Sequence, residues 1–157
     1  MEHPKVVHST FVVERSFPKP PETVFAAFSD PAKARRWYGE GDGHNLEEFT
    51  SDFRVGGTQT QRYKLPEGTP VAGMTINNQG RFQEIIPNQR IVTASTMDLE
   101  AKRILASQVT IELVPTRSGT DLILTHQGAF FDSGLTPEML EAGWRGLMEK
   151  LATELGQ

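Results

Sequence analysis

The chain has 157 residues, a length that suits one domain able to bury roughly two thirds of the surface its unfolded form exposes. With no cysteine, it has no disulfide, thiol nucleophile, zinc knuckle or iron–sulfur cluster of its own, which fits a reducing cytoplasm. Formal net charge is −4 and the pI about 5.6, with Lys and Arg scattered rather than gathered into a stripe, so the charge pattern argues against nucleic acid as a partner.

The opening MEHPKVVHST has neither a basic region nor an apolar run, and no later stretch approaches membrane-spanning length. The expectation is a cytoplasmic protein with no membrane insertion, residues 1–9 forming a flexible tail that holds His3 and His8. Residues 10–17, TFVVERSF, alternate and are rich in β-branched and aromatic side chains, a strand pattern that ends at PKPP (18–21). ETVFAAFSD then places Val24, Phe25 and Phe28 at helical spacing, and Asp30-Pro31 restarts the chain as a second short helix through AKARRWY.

From about residue 46 to residue 130 every signal is strand or turn, with breaks at VGG (55–57), PEG (66–68), PNQ (87–89), DLEAK (98–102) and PTRSGT (115–120). That spacing predicts successive antiparallel hairpins. Segment 103–114 sets Leu105, Ser107, Val109, Ile111 and Leu113 on one face, and the next strand gathers Leu122, Leu124, His126 and Gly128. The C-terminal helix has Thr136 as N-cap and Pro137 as first residue, and runs to about Leu155. Leu140, Trp144, Leu147, Met148, Leu151 and Leu155 form its apolar stripe, with Gly143 and Gly146 on one shoulder. Glycine inside a helix costs on the order of 1 kcal/mol relative to alanine. The pair either lets the backbone press against a neighbour or leaves room beside the stripe.

Several stretches in this order resemble the family named for the activator of Hsp90 ATPase, within the START-like, polyketide-cyclase-like (SRPBCC) superfamily: PPETVFAAFSDPAKARRWYG, DFRVGG (52–57), GRFQEIIPNQRIV (80–92), GTDLILTHQGAF and AGWRGLMEKL. The resemblance spans residues 10–155. It implies an α+β helix-grip fold in one domain, residues 10–157: a curved antiparallel sheet of six or seven strands, two short helices after strand 1, and a long C-terminal helix across the sheet. It also implies a cavity between that helix and the sheet for a small hydrophobic or amphipathic ligand. The superfamily includes carriers, cyclases and a co-chaperone domain, so fold alone does not choose an activity.

The chemical constellations are sparse. GEGDGHN (39–45) is Gly-rich, yet it follows a helix, enters a strand and carries Glu40 and Asp42, the reverse of a phosphate cradle. Asp42, His44, Glu47 and Glu48 are metal-ligand types without a metal-ligand spacing, so neither metal nor cofactor is expected. His126 is the candidate acid or base, on the face that meets the helix; the alternative is a histidine satisfied by neighbouring backbone. In TQTQRYK (58–64) either Gln59, Gln61 and Tyr63 point inward, or Thr58, Thr60 and Arg62 do, or both faces are wet. Trp37 and Tyr38 can wall one end of a pocket, and Met97, Met139 and Met148 either line it or fill gaps.

The expected ligand-contacting set is therefore Trp37, Tyr63, Met97, Leu105, Ser107, Leu124, His126, Trp144, Leu147 and Met148. Ligand binding leads. A cyclase or hydrolase-like activity through His126 and a co-chaperone-like interaction domain are the alternatives, and self-association into a homodimer stays open.

Overall fold

A computed structural model of the protein describes residues 5–40, 45–68, 70–132 and 134–156. Strand β1 (Val6–Phe17) is followed by helix α1 (Pro21–Ser29), helix α2 (Pro31–Ala34) and a π-helical turn (Arg35–Gly39). Then come β2 (Asn45–Ser51), β3 (Thr58–Lys64), β4 (Thr75–Ile86), β5 (Arg90–Leu99), β6 (Lys102–Pro115) and β7 (Thr120–Phe131), and finally α3 (Pro137–Glu154).

Strands β2 to β7 form a meander, and β1 pairs with β7 at its far edge, giving the order β1-β7-β6-β5-β4-β3-β2 with every pairing antiparallel. This is the helix-grip α+β fold, with seven strands. Register shifts at Leu46/Glu48, Phe82/Glu84 and Met97/Asp98 interrupt the ladders. Such irregularities bend and twist a sheet. The VGG break is a turn in which Gly56 takes φ +85° and Gly57 leaves no space for a side chain, since a Cβ there would lie 2.0 Å from the Asp52 carbonyl oxygen. Gly56 N–H and Gly57 C=O then bond Phe82 on β4, which ties the turn to the sheet.

One boundary differs from expectation. Residues 6–9, assigned to the tail, belong to β1: Val6 pairs with Phe131 and His8 with Ala129. Val6 and Val7 are strand-forming residues, and the open edge of β7 offers unpaired backbone groups that this segment satisfies.

Local signals account for the helices. Pro21 and Pro31 occupy the first positions of α1 and α2, and the Asp30 carboxylate accepts from Ala32 N–H at 3.0 Å. Thr136 caps α3 by accepting from Met139 N–H at 3.1 Å. Buried side chains fall into two clusters. The larger joins α1, α3, β1, β6 and β7 around Phe17, Val24, Leu122, Leu124 and Leu151; the smaller gathers Tyr63, Ile76, Ile104, Leu105 and Phe130. No helix among the described residues is long and apolar enough to cross a membrane.

Candidate ligand cavity

The cavity begins as a property of strand register. Gln59, Gly80, Ser95, Ser107 and Gly128 are successive partners across β3, β4, β5, β6 and β7, and so form one row over the concave face. The neighbouring row on one side is Asn78, Met97, Leu105 and Phe130; on the other it is Phe82, Thr93, Val109 and His126. A line of small side chains between two lines of larger ones leaves a trough. Above it stand α3 and the π-helical turn, leaving a partly open cavity of about 110 Å³ walled by Trp37, Tyr38, Leu105, Val109 and Trp144.

The row has its own polar character. Ser95 and Ser107 hydroxyls are hydrogen-bonded at 3.2 Å, and Ser51 donates to the Gln59 side chain at 3.1 Å. His126 leans over the row's end. Its imidazole stacks on Phe11 with centroids 4.7 Å apart and an interplanar angle of 8°, and Phe130 lies 6.0 Å away. A Cβ at Gly128 would lie 2.7 Å from His126 Cε1, so the glycine is what admits the ring. His126 is 1% exposed and its Nδ1 has no hydrogen-bond partner on another residue. Burial lowers its pKa to about 4, against a smaller opposing hydrogen bond with its own backbone, so the ring is neutral near pH 7.

At the other end of the trough a side-chain relay fixes the roof. The Gln61 amide donates to both the Tyr38 and Gly39 carbonyls at 3.0 Å, and Asn78 donates to Gln61 Oε1 at 2.8 Å. These carbonyls belong to the π-helical turn, whose Trp37 indole N–H donates in turn to the Ala27 carbonyl at 2.8 Å. Asn78 Oδ1 is buried without a partner. Burial pushes the Tyr63 phenol up to about 12, against an Asn78 hydrogen bond that lowers it, and raises Tyr38 further, so both stay neutral at ordinary pH.

The cavity adjoins an outer cleft of about 290 Å³ between α3 and β3–β5. Tyr38, Gln61, Asn78, Met97, Leu140 and Trp144 line both spaces, and the Tyr38 and Trp144 rings stand 5.8 Å apart where they meet. Gly143 and Gly146 border the cleft, and a Cβ at either would meet nothing within 4 Å. Of the two explanations for these glycines, open space beside the stripe is the one observed.

Of the sequence-expected set, Trp37, Met97, Leu105, Ser107, His126 and Trp144 line the inner cavity. Tyr63 and Leu147 line the outer cleft. Leu124 and Met148 line neither: they are 0% and 1% exposed, packed inside the larger core cluster with Val13, Leu122 and Leu151. Met139 faces solvent. In β3, Gln59, Gln61 and Tyr63 are the inward residues, while Arg62 bridges Glu47 at 3.4 Å and Glu48 at 3.1 Å on the other face.

Asp42 and His44 lie outside the described residues, as does His3; among the described ones no group of three or more metal-ligating side chains comes together. Sequence reasoning missed Asn78, Gly80, Thr93 and Ser95. The signal available for Gly80 was an isolated glycine within a strand, which often marks a close approach or a space.

Comparison with known proteins agrees with this geometry. The sequence model of the family described as Activator of Hsp90 ATPase homolog 1-like protein matches residues 18–156. A solved structure from Rhizobium loti is 43% identical over 96% of this chain and 99% of that one, with a TM-score of 0.84. Another, from Rhizobium leguminosarum, is 27% identical, covers 98% of both chains and has a TM-score of 0.90. An AHSA1-like protein from Aeromonas hydrophila, 19% identical over 94% of this chain and 92% of its own with a TM-score of 0.66, shares the fold. No curated protein matches the chain.

Proposed function

The chain belongs to the Activator of Hsp90 ATPase homolog 1-like family, and we propose that it binds a small, largely apolar molecule in the trough between α3 and the sheet. Family membership supports a ligand-binding domain in general terms. The observation that carries the finer reading is the unfilled space of about 110 Å³ above the Gly80–Ser95–Ser107–Gly128 row.

Protein interiors are close-packed, and an unfilled cavity costs on the order of 24 cal/mol per Å³. An apolar cavity of ~150 Å³ holds one benzene ring. The inner space, at about 110 Å³, is smaller than that, so a ring or a short chain placed there extends into the outer cleft past Leu140, Trp144 and Leu147.

Acid–base catalysis is not what these residues favour. Among the described residues lining the inner cavity there is no carboxylate to orient or recharge His126.

The test is native-state stabilisation by single-ring aromatics and medium-chain fatty acids, measured as a shift in the urea midpoint. At a hundredfold excess over Kd a ligand contributes about 2.7 kcal/mol. Ser95→Leu, which fills the trough from its floor, should remove the shift. No stabilisation by any compound in either class would sink the reading.

A further inference from the structure

We propose that the ligand is an amphipathic monocarboxylate lying lengthwise under α3, its apolar end in the trough and its carboxylate in the outer cleft against Lys150. This rests on the ligand-binding reading above and deepens it by giving the ligand a charge and an orientation.

Charge is distributed unevenly between the two spaces. The described residues lining the inner cavity include no Lys, Arg, Asp or Glu, and burial keeps His126 neutral there. Those lining the outer cleft include one basic side chain, Lys150, and no acidic one. An ionised group placed in the trough would lose its water without compensation, at a cost far above that of burying hydrocarbon. The apolar end of an amphiphile therefore belongs inside and a negative end outside, beside the lysine. One ammonium balances the single charge of a carboxylate, whereas a phosphate monoester carries about 1.5–2.

Helix geometry sets Lys150 over the path between them. Gly143, Gly146, Leu147 and Lys150 are separated by steps of three and four residues, so they share one side of α3, and all four line the cleft. Helical side chains lean toward the helix N-terminus, over the preceding turn, which for Lys150 is the turn of Gly146 and Leu147. That place is open: a Cβ at Gly146 would meet nothing within 4 Å, Lys150 included, and the same holds at Gly143. Trp144 borders both spaces, and Lys150, itself half-buried, stands about 9 Å further along the axis at ~1.5 Å per residue. The two glycines, costly in helix propensity, thus clear the stretch that a chain leaving the trough would cross to reach the ammonium.

The carboxylates nearest Lys150 along α3 are engaged by arginines. Glu154 accepts two hydrogen bonds from Arg36, at 2.9 and 2.8 Å, and Glu149 pairs with Arg15. A ligand carboxylate supplies Lys150 with an acceptor of opposite charge on the cleft side, and bonds of that kind are stronger than neutral ones.

Octanoate and 1-octanol, matched in chain and differing in charge, test this at neutral pH, with dissociation constants measured on wild type, Lys150→Met, Lys150→Arg and Ser95→Leu. Methionine keeps an apolar stem in the cleft and removes the ammonium. The ratio of octanoate to octanol affinity should fall about tenfold in Lys150→Met and be kept in Lys150→Arg. Tenfold is about 1.4 kcal/mol, close to the low end for a hydrogen bond to a charged group. Added salt should weaken octanoate and leave octanol unchanged. Ser95→Leu, which obstructs the apolar end, should weaken both compounds alike, and urea midpoints check that each variant is folded.

Octanol binding with an unchanged ratio in Lys150→Met would overturn the role of Lys150 while leaving the cavity reading intact. Octanoate that binds Ser95→Leu as tightly as wild type would overturn the orientation, since its chain would then not use the trough. If neither compound binds, the cavity reading falls and this inference falls with it.

Discussion

The two halves of α3 carry one continuous apolar stripe yet meet different floors. In the C-terminal half Met148, Leu151 and Ala152 are buried against a cluster that includes Val13, Phe17, Leu122 and Leu124. In the N-terminal half Leu140, Trp144 and Leu147 remain half-buried above the trough and the cleft. The helix face is the same in kind. What changes is the sheet, whose rows are large under one half and small under the other, so the fold is anchored at one end and open at the other.

Truncation should expose this division most strongly. Leu151→Ala should lose about 2–5 kcal/mol in urea denaturation, the range for a fully buried leucine, whereas Leu147→Ala should lose less than half as much. Equal losses would mean that the open half is packed as tightly as the anchored one.

Acid provides the next contrast, because one titrating group sits at the boundary. His126 has a folded pKa of about 4 against an ordinary 6.5, so the unfolded chain binds the proton first. Its contribution to stability is fully present above about pH 6.5, declines as the pH falls, and is lost by about pH 4, for roughly 3 kcal/mol in all. His126→Phe should flatten the stability profile over that window. The carboxylates of Glu84 and Glu154, held below their usual range by hydrogen bonds from Arg90 and Arg36, act at lower pH and should persist in the variant.

Two glycines then distinguish filled from open space in opposite directions. Gly128→Ala places a methyl 2.7 Å from the His126 ring and should destabilise by about 1–3 kcal/mol. Gly146→Ala, whose methyl meets nothing, should stabilise by up to about 1 kcal/mol through helix propensity alone. Destabilisation at Gly146 would show that the cleft is closed in solution. Thermal or urea midpoints suffice for both.

Much of this was legible residue by residue. The alternation in RILASQVTIELV and in DLILTHQG assigned Ser107 and His126 to the helix-facing side, and Thr136-Pro137 marked the start of α3. Leu124 and Met148 were correctly inward yet misplaced as lining, since a periodicity says which way a side chain points and not whether anything stands opposite. Residues 6–9 were read as tail although Val6 and Val7 favour a strand, because the pairing that orders them is supplied by β7, far away in the chain.

By itself, then, the sequence determined the elements and their faces, because those depend on spacings of two, three and four residues along one chain. Only the tertiary structure decided that Gln59, Gly80, Ser95, Ser107 and Gly128 lie in line. That alignment depends on register across five strands and on bulges that shift it, and a change of one residue in any pairing would turn a whole strand's side chains to the other face. The cavity is a consequence of that non-local alignment, and so is the buried imidazole at its end.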